Sequence, residues 1–290
     1  MSRISLIVPT LNAEHELPVL LDAVMSQTRV PDEILIVDSS SDDNTVELAE
    51  SYVGVRTMTV RRKDFDHGGT RQLALESVRG EYVLFLTQDA VPADECYVEN
   101  LLVPFEDSSI AMVSGRQLPK PDARRFVQLV QKYNYPPESN VRTVRDIERL
   151  GIKACFASDA CSAYRRVAVE AIGGIPRPCS TNEDMLAAIR LLRKGYKVSY
   201  AADACVFHSH SLTFQEQYQR NYAIGVFLEE HANELRVGSE VGEGIKMAQS
   251  ILSQLIREKS PLESISFVLD CIARFIGNRQ GRALGRQRSI

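Results

Sequence analysis

Two stretches of this 290-residue chain hold carboxylates where they could do chemistry. Asp89 follows the apolar run YVLFL (Tyr82–Leu86) and the pair Thr87-Gln88, and Glu183 and Asp184 open the helical stretch NEDMLAAIRLLRKG. A carboxylate just past a buried strand suits a hard cation, because Mg2+ or Mn2+ takes one or two carboxylates and completes its shell with phosphate and water. A carboxylate at a helix start can take a proton from an incoming hydroxyl. The pairing suits transfer of a group activated by a diphosphate, with the metal as Lewis acid at the leaving group. Each acid also has a plainer reading, Asp89 as a strand-end cap and Glu183-Asp184 as complements to a helix dipole.

Other residues extend the pattern. The first strand ends in Pro9-Thr10-Leu11-Asn12-Ala13-Glu14 and the second in Asp38-Ser39-Ser40-Ser41-Asp42-Asp43. Neither is G-x-G-x-x-G, which excludes the phosphate-cradling turn of a nicotinamide enzyme. The first also lacks the glycine and lysine expected of a nucleotidyltransferase loop. Asp38 is placed to accept the N–H of a pyrimidine base, or to serve as a turn residue. In Asp64–Arg71, His67-Gly68-Gly69-Thr70-Arg71 precedes a helix. The glycines let backbone approach a ligand, the helix start favours anions, and Arg71 can pair with phosphate. A flexible loop ending in a threonine cap is the alternative. His208 and His210 follow another buried strand, where one imidazole could complete a metal shell or simply be structural. Gln217 and Arg220, three apart on a helical face, either share a ligand or face water.

These residues need a frame. Ile4–Val8, Glu33–Val37, Val55–Val60, Tyr82–Leu86 and Ile110–Ser114 are short β-branched runs without polar alternation, the pattern of strands buried on both faces. Helical patterns lie between them at 17–27, 45–52, 70–78 and 97–105, the second with Asn44 as cap and Glu47 three residues on. The alternation predicts an α/β fold with a doubly wound, mostly parallel sheet that binds ligands beyond its strands' carboxyl ends. The pattern breaks between Gly115 and Gly151, where one amphipathic run, Phe126–Tyr133, lies among prolines. It resumes at 154–164, with a helix at 184–194 and strands at 198–200 and 204–207. A helical C-terminal part follows. Phe214, Tyr218, Tyr222 and Val226 share one face, and Ser260-Pro261-Leu262-Glu263 reads as a capping box. That box opens a helix whose apolar stripe is Ile265, Val268, Leu269, Ile272, Phe275 and Ile276.

Composition narrows the partners. A net charge of −4 gives no general affinity for nucleic acid. The cations cluster: Arg116–Arg149 holds eight basic and four acidic residues, and five arginines with no acid follow Asp270. The first segment could embrace an anionic acceptor or be a solvated loop. The C-terminal helix and its arginines could lie on the inner membrane surface, pack on the domain, or form a homodimer, with packing or dimerisation preferred. The six cysteines show no zinc-ligand spacing. No secretory segment opens the chain and no run reaches the ~18 apolar residues of a spanning helix, so the expected location is cytoplasmic, with or without peripheral membrane contact.

The order of motifs resembles the inverting family 2 glycosyltransferases of GT-A fold over residues 3 to 230, through ISLIVPTLNAE, IVDSSSDDNT and the GG…NED…RLLRKGY stretch. FDHGGTR followed by FLTQDA, and HSHSLT…QYQRNYAIG, are similar to bacterial rhamnosyltransferases that use dTDP-L-rhamnose. The resemblance implies a catalytic domain over 1–235, with a nucleotide-sugar-binding half at 1–115 and an acceptor-binding half at 116–235. A helical extension follows at 236–290. It implies that Pro9, Thr10, Asn12 and Glu14 line the nucleotide site with Asp38 at the base, that Arg71 lies near the diphosphate, and that His67, Gly68 and Gln88 bind substrate. It makes Asp89 and His208, with His210 close behind, ligands of Mg2+ or Mn2+, and Asp184 the catalytic base beside Glu183. Gln217 and Arg220 sit where relatives carry QxxRW, here with Asn221 in place of Trp, and Thr87 stands at the first position of DxD. The implied reaction is transfer of a sugar, L-rhamnose foremost, to a saccharide or lipid-linked acceptor in surface polysaccharide synthesis. A UDP-hexose donor and a non-catalytic nucleotide-sugar-binding subunit are the alternatives.

Overall fold

Four strands build the parallel part of one sheet: β1 (Ile4–Thr10), β2 (Glu33–Asp38), β3 (Val55–Thr59) and β4 (Tyr82–Leu86). β1, β2 and β4 are largely apolar runs, because strands covered on both faces have no polar side to show. β3, VRTMT, is instead an edge strand with no fully buried residue, which corrects the expectation of burial on both faces there. The computed structural model describes residues 2–235 and 241–288, giving only the backbone of 241–243. Helices α1 (Leu17–Met25), α2 (Thr45–Ser51) and α3 (His67–Ser77) connect the strands. Then come β5 (Val91–Pro92), α4 (Tyr97–Leu102), β6 (Ile110–Leu118), α5 (Arg125–Asn134), β7 (Asn140–Arg142) and α6 (Asp146–Leu150). β8 (Cys161–Arg165), α7 (Arg166–Ala171), α8 (Glu183–Arg193) and β9 (Lys197–Phe207) follow, and α9 (Phe214–Glu230), α10 (Ala232–Leu235), α11 (Val241–Arg257) and α12 (Pro261–Arg288) end the chain.

The nine-stranded sheet runs β3-β2-β1-β4-β8-β6-β9-β5, with β7 on β9. Pairing is parallel from β3 to β4, and β8 then enters antiparallel, with Leu86 opposite Cys161. This reversal matters for the site, because it sets the start of β8 beside the end of β4. The strand order turns between β1 and β4, where such sheets bind their ligands. The apolar faces of β1, β2 and β4 close on Leu17, Leu20 and Leu21 of α1 and on Tyr97 and Leu101 of α4, all almost fully buried.

Contacts divide the chain into two units: residues 1–117, 136–146 and 154–208, and residues 118–135, 147–153 and 209–290. The division differs from a boundary at 235, since α9 groups with the C-terminal helices. In the second unit, Phe126 and Val130 of α5 bury against Leu255 of α11 and Phe267 of α12.

Several local expectations need correction. Asn44 does not cap α2; its amide donates to Glu14 (3.0 Å), and Asp43 meets the Thr45 N–H (3.1 Å). Helix α3 begins at His67, before Thr70, because Asp66 caps it by accepting from the Gly69 N–H (2.7 Å). The stretch 197–207 is one strand, with Ala201 and Ala202 buried between the two expected runs. Regular structure over 154–164 reduces to the end of a 3-10 turn and then β8 from Cys161. The capping box forms at Thr213/Glu216 rather than at Ser260/Glu263, because Glu263 instead accepts from Arg124 (3.1 Å) and the Phe126 N–H (3.1 Å).

The largest correction concerns α12. Its predicted stripe faces outward, with Ile265 58%, Leu269 48% and Phe275 63% exposed. The helix packs on α9 through the opposite face, where Gly277 and Gly281 bring its backbone against Tyr218 and Tyr222. A Cβ on Gly281 would lie 2.0 Å from the Tyr222 carbonyl oxygen, so only glycine allows this approach.

Candidate active site

The carboxyl ends of β1, β2 and β4 are tied together by short loop-to-loop bonds. Leu11 N–H donates to Gln88 Oε1 (2.8 Å), which joins the two strands where the sheet order turns. Asn12 takes a left-handed conformation (φ +50°) and accepts from the Asp42 N–H (2.9 Å), and Glu14 accepts from the Asn44 backbone (3.2 Å). Asp38 lies next to Thr10 in register and is buried, its carboxylate accepting from the Ser41 N–H (2.9 Å) and from Thr10 (3.4 Å). Pro9, Thr10, Asn12, Glu14 and Asp38 therefore share one rim, where Asn12, Glu14 and Asp38 brace the loops.

Asp89 lies just beyond β4, with its Oδ1 3.4 Å from Nε2 of His208 at the end of β9. The imidazole orientation follows from its other nitrogen. Gln117 donates its amide N–H to Ser158 (2.8 Å), which turns its oxygen toward His208 Nδ1 (2.8 Å). Nδ1 is thereby turned to the Gln117 oxygen, and Nε2 is the ring nitrogen that faces Asp89. An octahedral ion with bonds of ~2.1 Å holds neighbouring ligand atoms ~3 Å apart, so this carboxylate–imidazole pair fits a divalent cation. The adjacent Thr87 hydroxyl is buried without a hydrogen-bond partner. His210, two residues past His208, belongs to the second unit.

The third part of the site centres on Asp184. Asn182 adopts a left-handed turn (φ +58°), after which α8 starts with Glu183 and Asp184. Asp184 accepts from the Met185 N–H (2.7 Å) and the Asp159 N–H (3.1 Å). Asp159 was not anticipated; it precedes β8 and arrives beside β4 because β8 is antiparallel, with the Thr87 N–H reaching the Ala160 carbonyl (3.4 Å). Contacts thus run stepwise from Asp38 through Thr10, Gln88, Thr87 and Ala160 to Asp184, linking carboxylates far apart in the chain.

Arg71 is 4% exposed, within the protein rather than at its surface. Its Nη1 meets Glu183 at 2.9 Å and its Nε lies 3.4 Å from Asp159 Oδ2, close but without hydrogen-bond alignment. The guanidinium expected near a diphosphate is committed to these two buried acids. Asp159 also accepts from Ser162 (2.6 Å) and Tyr164 (2.8 Å). Burial of its carboxyl, and the nearby Glu183, push Asp159 up to about 6. Burial, then the charges of Glu183 and Asp159, hold Asp184 well above the usual carboxylate range. Burial of its ring and the cation of Arg71 push His67 down to about 4, so it is neutral. Three carboxylates around one arginine keep Asp184 ready to hold a proton.

In the second unit, Gln217 is buried, its amide oxygen accepting from Arg274 (Nη2 at 2.7 Å), whereas Arg220 is exposed. In the basic segment, Arg125 pairs with Glu258 (2.6 Å) and Arg124 with Glu263 (3.1 Å). Arg142, in the first unit, is buried against the Phe156 carbonyl (2.6 Å). Each of these three cations is held by a partner within its own unit.

Known proteins share this sequence and architecture. A profile of Glycosyl transferase family 2 matches residues 5–173. The O-antigen chain rhamnosyltransferase RfbN of Salmonella typhimurium (strain LT2) is 39% identical over 285 residues, covering 97% of this chain and 90% of that protein. The O-antigen chain rhamnosyltransferase WbaN of Salmonella anatum is 36% identical over 97% of this chain and 90% of its own. Among solved structures, the mannosyltransferase PcManGT from Pyrobaculum calidifontis, in complex with GDP-Man and Mn2+, is similar with a TM-score of 0.64. It is 17% identical and covers 96% of this chain and 87% of its own. TarS 1–349 of S. aureus in complex with UDP-GlcNAc is similar with a TM-score of 0.56, at 16% identity over 99% of this chain and 92% of its own.

Proposed function

The chain belongs to glycosyl transferase family 2 and is a glycosyltransferase, and from that premise we propose that it moves L-rhamnose from dTDP-L-rhamnose to a hydroxyl of a saccharide or lipid-linked acceptor in surface polysaccharide synthesis. The donor reading rests on two rhamnosyltransferase relatives that span nearly the whole chain. The chemistry rests on one observation, the tie through Asp159 and Ala160 that brings Asp184 to the strand end carrying Asp89.

Asp184 removes the proton of the acceptor hydroxyl, and the oxygen attacks the anomeric carbon opposite the departing nucleoside diphosphate. The C–O bond to the acceptor forms as the bond to the leaving oxygen breaks, which inverts the centre through an oxocarbenium-like transition state. Burial and the neighbouring carboxylates raise the proton affinity of Asp184 above that of an ordinary carboxylate, which strengthens it as a proton acceptor. Asp89 and His208 would hold a divalent cation, Mg2+ or Mn2+, which supplies Lewis acidity to the leaving diphosphate. Pro9, Thr10, Asn12, Glu14 and Asp38 form the nucleotide rim, and Gln88 faces the diphosphate from β4. Thermal shift with Mn2+ and a panel of nucleotide sugars tests the donor. Selective stabilisation by dTDP-L-rhamnose is expected, and a UDP-hexose giving the larger shift would displace it.

The outward stripe of α12 is assigned to a second copy of the chain. Leu262, Ile265, Leu269, Ile272 and Ile276 alternate in steps of three and four, the spacing of a helix–helix seam. No helix among the described residues is long and apolar enough to cross a membrane. Sedimentation velocity of the full chain should show a dimer that Leu269→Glu with Ile272→Glu converts to a monomer. A wild-type monomer that floats with anionic vesicles would instead give the stripe to lipid.

A further inference from the structure

Helix α3 and the segment leading to α8 are fastened together at every turn of contact. Gly68 donates its N–H to the Cys179 carbonyl (2.9 Å), and the Cys179 N–H returns to the Asp66 carboxylate at 2.9 and 3.0 Å. Gln72 accepts from the Ile175 N–H (2.6 Å), and Arg71 reaches Glu183, the residue before the base. Asp159 closes the arrangement from the other side, its own N–H on Asp184 and its carboxylate beside Arg71. A diphosphate-binding role leaves these features without purpose, since Arg71 has almost no surface to offer a ligand.

We infer that Arg71 and Asp159 are positioning residues for Asp184: α3 clamps the segment that carries the base, while the Arg71 cation and the Asp159 carboxylate act oppositely on its charge. This deepens the assignment of Asp184 as base and rests on it. The groups facing Asp184 are Glu183 on its own helix, Asp159, Arg71 of α3, Tyr164 of β8, and the thiols of Cys155 and Cys179, with His67 beside Arg71 and Asp159. Burial pushes Cys155 up to about 11 and Cys179 up to about 12, so both stay uncharged, as does His67. Above about pH 5, therefore, neither the thiols nor His67 brings a change of charge to the surroundings of the base, and the raised Asp159 carboxyl does.

The two residues have opposite signs, which a merely structural role would not reproduce. The test is release of dTDP from dTDP-L-rhamnose by the full chain, with Mn2+ present and water as acceptor, followed from about pH 5 to 9. Asp159→Asn removes a negative neighbour and should move the acid limb down by about one unit, whereas Arg71→Gln removes a positive one and should move it up by a similar amount. Arg71→Lys, which restores the cation, should return the limb toward the wild-type position. Where Arg71→Gln does not fold, Asp159→Asn decides alone. Limbs that stay in place while rates fall by one factor at every pH would overturn the inference. Failure of the base assignment looks different: Asp184→Asn would then keep both its rate and its acid limb.

Discussion

Replacing Asp184 by Asn should lower sugar transfer by roughly 10²–10⁴-fold, the usual contribution of a positioned general base, while donor affinity barely moves. The separation follows from geometry. Asp184 sits at the start of α8 with its oxygens toward the Asp159 and Met185 N–H groups, and the nucleotide rim is built from the ends of β1, β2 and β4. Nothing on that rim changes when a carboxylate oxygen of Asp184 becomes an amide. Isothermal titration with dTDP-L-rhamnose and Mn2+, beside single-turnover transfer, separates the two quantities. A variant that keeps substantial transfer would remove Asp184 from the mechanism.

The same substitution should alter stability with a defined sign. A carboxyl whose folded-state proton affinity is raised binds more protons when native than when unfolded, so stability falls as pH rises through its window. Asparagine cannot acquire that charge. The stability difference between variant and wild type should therefore shift in the variant's favour as pH rises above about 4, even though the amide forfeits one backbone hydrogen bond worth about 1 kcal/mol.

Strands β1, β2 and β4 were legible because burial on both faces leaves a run such as ILIVD without polar alternation, a signal carried by the run itself. Asp89 and Asp184 were legible for a related reason, since a strand end and a helix start are local positions. Asp159 was not. It lies in Ser158-Asp159-Ala160-Cys161 without a local pattern, and only the antiparallel entry of β8 carries it to Asp184. Gly68 and Arg71 were read by residue type, which suits a ligand loop as well as a brace, and the deciding partners, Cys179 and Glu183, are distant in the chain. Helix α12 shows the same limit. Periodicity located its apolar stripe, but a row of glycines at 277, 281 and 285 buries more closely against another backbone than branched side chains can. Periodicity finds a face, whereas close approach chooses the face that packs.

That brace makes the smallest possible addition to the chain costly. A Cβ on Gly68 would lie 1.9 Å from the Pro176 carbonyl oxygen and 3.0 Å from Cys179 Cβ. The oxygen belongs to backbone held on one side by Gln72 at Ile175 and on the other by Asp66 at Cys179, so it cannot swing away as a side-chain tip would. Gly68→Ala must therefore push the segment before α8 off α3. Overpacking of this kind costs about 1–3 kcal/mol, and stretching the Gly68–Cys179 bond adds about 1 more. The displaced segment carries Asp184, and a shift of about 1 Å in a catalytic group lowers turnover by roughly 10²-fold. Gly244→Ala supplies the contrast, since a Cβ there meets nothing within 4 Å and α11 gains up to about 1 kcal/mol in helix propensity. Urea midpoints and turnover of the two variants check both halves of the argument. A Gly68→Ala protein with wild-type midpoint and wild-type rate would mean that α3 does not hold Asp184 in place.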